Sequence, residues 1–425
     1  MQTEKPAEAT TKEKVATSGS QAEIWGALVR PWWLATLAVL PVFLITRLIF
    51  LLLTYFGGVL FSLPNYSTSH LPFMDVIYTW YHWDAIRFVT IATKGYISLQ
   101  YAAFFPLFPA LERILSRGMD VLIAGMLISN LAFLGTLIVL YRLTDTEFDR
   151  ETAKRTVLYL SVFPTALFFF AAYNESLFLF FALASIYALR RGSWWLAGLL
   201  GFLATLTRSI GLFLFIIFLY EYIQQRYEPL LQAWQDKERP YLLRQLADLA
   251  AIVLIPLALA LYAYGLKQHF GDPLAFMHAQ TSWRLGLTFP LVAPGRALKF
   301  FFTESPFTFT SPHLIIDLTA LALFTLLLIL CFVGPVKIER HQWSFALFGF
   351  MALIYALLFP GIPGAPGVPY DPIPSSERFV LEIFIGFIIL ARLGRRQWVH
   401  QGYLLLALPM LAFLTLQFMT GHWTI

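Results

Sequence analysis

The sequence predicts an all-α polytopic membrane protein with about eleven transmembrane helices, and three observations carry that prediction. Hydrophobic residues make up 58% of the 425 and charged residues 13%, whereas a soluble domain carries about 25% charge. Windows such as LAFLGTLIVLYRL and ALALFTLLLILCFVG offer almost none of the charge that a soluble surface needs. Clusters of Lys and Arg recur between the apolar runs, as they do in cytoplasmic loops. The formal charge of +5 reflects that habit, and no nucleic-acid partner is read from it. With one cysteine, Cys331, the chain has no internal disulfide and no basis for a cysteine metal site.

Taken in order, residues 1–30 read as a disordered cytoplasmic tail, because the first 20 are polar and small. Residues 31–425 read as one integral membrane domain. Apolar spans fall at 35–56, 119–141, 156–173, 175–189, 246–265, 314–335, 343–360, 378–391 and 400–419. Basic residues at Arg30, Arg142 to Arg155, Arg190 and Arg191, Arg226 to Arg244, Lys337 and Arg340, and Arg392 to Arg396 mark the inner side. The stretch 192–223 lies between two inner clusters and holds only about 30 residues, so it must go out and return. Two short helices meeting at Thr205 to Ser209 satisfy this, each too short for a hydrocarbon core of about 30 Å at about 1.5 Å per residue. Their junction therefore needs protein or water around it. Segments 57–118, 266–313 and 361–377 fall outside. The first, with YAAFFPLFPALERIL, is expected to carry helices lying at the membrane interface.

The charged residues that matter cluster on that outer side. TWYHWDAIRFVTIATKGY places His82, Asp84 and Arg87 among aromatics. Asp84 is a candidate general base, shielded from bulk water and tuned by a cation; the plainer reading pairs it with Arg87 to fix a loop. His82 reads as an interfacial packing residue or a polar contact, and no compact set of ligands supports zinc there. Asn174 and Glu175 interrupt an apolar stretch at the outer end of two spans, where a carboxylate is a functional candidate or the end of a hairpin. Arg208 stands at the break between short helices and needs an anion, phosphate or Glu175, beside it. Arg378 opens a span from the outside, with Ser375 and Ser376 as capping candidates. Arg47, inside the first span, reads as a structural or snorkelling cation. There is no GxxxxGK and no GxGxxG after a strand, so a nucleotide-dependent site lacks support.

HWDAIRFVTIATKGY, AAFFPLFPALER, the run from SVFPTALFFFAAYNES to ATLTRSIGLFLF, GDPLAFMHAQTSW and SSERFVLEIF resemble the PIG-V mannosyltransferases. That family provides the second mannosyltransferase of glycosylphosphatidylinositol assembly and has prokaryotic relatives. The resemblance implies a GT-C glycosyltransferase fold and transfer of a sugar, mannose by family, from a polyprenyl-phosphate donor to a lipid-linked or other acceptor on the outer face. It implies Asp84 as the base, with Glu175, Asn174 and His82 positioning the acceptor or an ion. Arg208, Arg378 and Arg87 become the binders of the donor phosphate. A divalent cation, Mg²⁺ or Mn²⁺, is a candidate cofactor with Asp84 and Glu175 as candidate ligands. Short cytoplasmic loops and no visible endoplasmic-reticulum retrieval signal point to a prokaryotic plasma membrane. A transporter of an anionic or lipid-linked solute, which also needs broken helices and buried charge, is the first alternative. A non-catalytic scaffold, recognised by the lack of a pocket joining Asp84 to Arg208 and Arg378, is the second.

Overall fold

The computed structural model describes residues 21–62, 70–308, 310–363 and 370–422, and the tail expected over 1–20 lies outside them. Residues 21–30 belong to the first helix, Gln21–Ser62. All regular elements among the described residues are helical, apart from one isolated bridge between Arg284 and Gly361.

Five described helices are long and apolar enough to cross a membrane: Arg30–Phe61, Val121–Glu147, Arg239–Phe270, Thr310–Leu330 and Gln397–Met419. The protein is thus an integral membrane protein, but the expected count of about eleven spans is corrected. The run at 156–173 shows why. Its helix, Arg150–Ser161, ends just ahead of Pro164, which cannot donate a backbone hydrogen bond and disfavours helix in the residue before it. The chain continues as a short 3-10 turn, Ala166–Phe169. Other apolar helices stop short in the same way: Glu175–Arg190 has 16 residues, Trp194–Thr207 has 14 and Phe384–Leu393 has 10.

The predicted break at Thr205 to Ser209 is present. Trp194–Thr207 ends, Arg208 is extended (φ −153°, ψ 144°), and a 3-10 turn leads into Leu214–Gln235. Gly211 lets the turn fold back, since a Cβ there would stand 2.5 Å from the backbone nitrogen of Thr205. The Glu175–Arg190 helix packs between Val121–Glu147 and Trp194–Thr207 and is buried along most of its length. In the first loop, Asp84–Lys94 and Leu107–Leu115 are short amphipathic helices; the former buries Ala85, Phe88, Val89, Ile91 and Ala92 and exposes Ile86.

The basic clusters gather at one end of the bundle. Arg190 pairs with Glu147 at 2.9 Å and Glu221 at 3.4 Å and donates to the His341 carbonyl at 2.8 Å. Arg392 donates to the Val336 carbonyl at 2.6 Å, and Arg395 pairs with Asp149. Glu175 lies at the opposite end of the helix that Arg190 terminates.

Candidate functional site

A cavity of about 330 Å³ opens at the Glu175 end, with Asp84, Arg87, Arg208, Arg284 and Arg378 in its wall. Asp84 begins the Asp84–Lys94 helix, and its approach is strained: Trp83 sits at φ 46°, a left-handed region that side chains other than glycine rarely occupy. The conformation is held from both sides. The Trp83 ring packs on Phe418 at 4.9 Å, and the Tyr173 hydroxyl accepts from the Asp84 amide at 3.3 Å.

The carboxylate of Asp84 does not pair with Arg87. Its partner is Arg378, whose Nη1 lies 2.6 Å from Asp84 Oδ2. The same guanidinium reaches Glu175 Oε1 with Nη2 at 2.5 Å, and its face covers the Tyr173 ring at 4.7 Å. Arg208 Nη1 meets that Glu175 oxygen at 2.5 Å and the Asn174 amide oxygen at 3.1 Å, while its Nε lies 2.9 Å from Glu382. Glu175 is 1% exposed, so it is a brace behind two arginines, whereas the Asp84 side chain keeps 19% of its surface open. Asn174 lines the cavity and ties itself to the Thr207 carbonyl at 2.9 Å.

Two of the residues singled out from the sequence lie elsewhere. His82 turns away, its Nε2 3.3 Å from the Met419 carbonyl and its ring against Phe418. Arg47 is buried among Phe43, Phe50, Phe133 and Phe170 and donates to Asn130 at 2.7 Å, a structural cation. The capping expectation for Ser375 and Ser376 is corrected: neither side chain caps, and the Ser376 hydroxyl donates to the Ile373 carbonyl at 2.9 Å. Ser375 instead supplies a left-handed turn at φ 59° that aims Arg378 inward.

The donor set does not suit a divalent cation. Asp84 and Glu175 share one guanidinium between them, and among the described residues no group of three or more His, Cys, Asp or Glu side chains is placed to hold a metal ion. Arg284 and Tyr355 also belong to the wall and lie outside every motif read from the sequence, whereas Trp283 and Glu382 fall inside GDPLAFMHAQTSW and SSERFVLEIF without being singled out. GDPLAFMHAQTSW stops one residue before Arg284, so the quoted motif was itself a signal.

Residues 73–283 match the family described as Mannosyltransferase (PIG-V), a range that holds Asp84, Asn174, Glu175 and Arg208 but neither Arg284 nor Arg378. Over 174 residues, 38% of this chain and 41% of the relative, the sequence is 32% identical to GPI mannosyltransferase 2 of Cryptococcus neoformans. It is 31% identical over 151 residues to GPI mannosyltransferase 2 of Schizosaccharomyces pombe, covering 34% of this chain and 32% of that one. The match thus spans about two-fifths or less of the length of these relatives. Among solved structures, the apo oligosaccharyltransferase of Archaeoglobus fulgidus superposes with a TM-score of 0.41 at 12% identity, over 89% of this chain and 56% of that chain. The chain is related to the PIG-V mannosyltransferases at moderate identity.

Proposed function

We propose that this relative of the PIG-V mannosyltransferases is a glycosyltransferase of the GT-C type, moving a sugar, mannose by kinship, from a polyprenyl phosphate to a hydroxyl of a lipid or glycan acceptor. The observation that carries the reading is one cavity holding a partly exposed carboxylate, Asp84, among four guanidiniums. A scaffold has no need of such a cavity. The basic clusters at the far end of the bundle support an outer-facing site, by the bias of Lys and Arg toward the cytoplasmic side.

In this reading the acceptor hydroxyl gives its proton to Asp84 while its oxygen attacks the anomeric carbon. The bond from that carbon to the phosphate oxygen breaks from the opposite face, and the phosphate leaves with the electron pair. A β-linked donor yields an α-linked product. Phosphate is already a good leaving group, so the guanidiniums of the cavity need mainly to hold it and offset its charge. Asn174 and Glu175 keep Arg208 in place.

The test is to incubate the purified protein with radiolabelled polyprenyl-phosphate mannose and a lipid extract of the producing organism, then to identify the product's headgroup and anomer. A new glycolipid of inverted configuration is expected. A retained configuration overturns direct displacement, and vectorial uptake of the donor without any product favours transport.

A further inference from the structure

We propose that Arg284, assisted by Arg87, is the main anchor of the leaving phosphate, and that Arg208 and Arg378 serve chiefly to shape the wall around Asp84. The inference rests on the glycosyltransfer reading above and assigns a role within the same cavity.

Charge pairing separates the four arginines into two classes. Arg378 is already answered by Asp84 and Glu175, and Arg208 by Glu175 and Glu382, all within 2.9 Å. Arg284 and Arg87 have no carboxylate at ion-pair distance among the described residues. Asp371 and Tyr355 lie near enough to influence Arg284 but do not bond it. Arg284 lies over the face of Phe379 at 5.1 Å, and Arg87 over the face of Tyr101 at 5.2 Å. Both are half-buried, and a guanidinium partly withdrawn from water without an anion gains a partner when an anion enters. A guanidinium fork also matches phosphate oxygens in a bidentate manner.

Arg284 is held ready for that role. Its backbone bridges to Gly361; the neighbouring Leu285 amide donates to the Pro360 carbonyl at 2.7 Å and Thr288 to the Leu358 carbonyl at 2.9 Å. On its other side Gly361 lets the Asp371 backbone close in, since a Cβ there would stand 2.0 Å from the Asp371 carbonyl oxygen. Phe379 carries Arg284 on its ring at 5.1 Å and Arg208 at 5.4 Å, so a single ring spaces the anion-seeking guanidinium from the one already paired.

The number of unanswered charges has a chemical consequence. The donor is a phosphodiester with one negative charge. The departing polyprenyl phosphate is a monoester whose second pKa is about 6, so it leaves carrying nearly two charges at neutral pH. Two unpaired cations match the departing group better than the donor. They therefore favour the transition state over bound substrate, the condition for raising turnover and not merely affinity.

The experiment titrates the purified full chain in nanodiscs with farnesyl phosphate and, separately, with inorganic phosphate. Binding is read by ³¹P NMR and melting temperature is recorded alongside. Wild type is expected to bind farnesyl phosphate. Arg284→Gln should bind it about 10- to 100-fold more weakly, the usual scale for a charged hydrogen bond, and Arg284→Lys should recover part of the loss. In turnover assays Arg284→Gln should lower kcat more than it raises the donor KM. Inorganic phosphate binding as tightly as farnesyl phosphate would make the site a free-phosphate site and overturn the lipid assignment. Unchanged farnesyl phosphate binding by a well-folded Arg284→Gln protein overturns the anchor while leaving the glycosyltransfer reading intact. No binding by wild type overturns both.

Discussion

Glu175→Gln separates a brace from a chemical participant. Glu175 is fully buried and its Oε1 takes contacts from Arg208 and Arg378 at 2.5 Å each. Removing one member of a buried ion pair costs about 3–5 kcal/mol. Here each guanidinium keeps another carboxylate, Glu382 at 2.9 Å or Asp84 at 2.6 Å. Gln also retains an accepting oxygen, so about 2–3 kcal/mol is the expected loss, at or below the lower limit of that range. Against a total stability on the order of 5–15 kcal/mol, this is visible in a denaturant titration in mixed micelles followed by tryptophan fluorescence. Activity should fall with it, and lowering the temperature should restore part of both. A stability change under about 1 kcal/mol together with abolished turnover would refute the reasoning, and would return Glu175 to the acceptor-positioning role that its sequence context suggested.

Asp84→Asn leaves Arg378 bonded to Glu175, so the protein should fold normally while turnover falls about 10²–10⁴-fold, the range for a lost general base; wild-type turnover in that variant would reject Asp84 as the base. In the 361–377 loop, burial and the nearby Glu377 push the Asp371 carboxyl up to about 7. An unfolded Asp titrates near ~4, so the folded loop holds the proton more tightly, and that stabilisation is present at low pH and lost as pH rises through the folded value. Hydrogen-exchange protection in the loop, corrected for the intrinsic rise of exchange rate with pH, should therefore fall between about pH 4 and 7, and Asp371→Asn should flatten the fall; identical profiles would contradict it. Single cysteines replacing the exposed Ser98 and Ser305 should react with a membrane-impermeant thiol reagent in intact cells, whereas one replacing the exposed Glu151 should not, and labelling at 151 would invert the assigned topology.

Much of the site was legible because charge is rare in an apolar chain. Asp84, Glu175, Arg208 and Arg378 each stand out against long runs of Leu and Phe, and the break at Arg208 follows from having too few residues between two basic clusters. Which charge meets which was not legible. The i, i+3 spacing of Asp84 and Arg87 suggested a pair, but the partner of Asp84 comes from nearly 300 residues further on. Arg284 sits in a loop where an arginine draws no notice, and its position depends on a bridge to Gly361 that no local pattern announces. The span count failed for a related reason. Hydropathy measures how apolar a run is, whereas Pro164 and Arg208 decide where helices stop.

The helix that begins at Glu175 and ends at Arg190 has 16 residues, so its length is about 24 Å. Both ends are fixed by buried ion pairs, to Arg208 and Arg378 at one and to Glu147 and Glu221 at the other. The hydrocarbon of an ordinary bilayer is thicker, about 30 Å. The two charged tiers are consequently closer together than the surfaces of an undeformed membrane, and any tilt of the helix widens the discrepancy. At least one charged tier therefore lies below the level of the bilayer surface, walled from lipid by longer neighbours such as Val121–Glu147. The proposed transfer thereby becomes sensitive to bilayer thickness: short-chain lipids bring headgroups level with the cavity, and long-chain lipids force a phosphate to descend further to reach it.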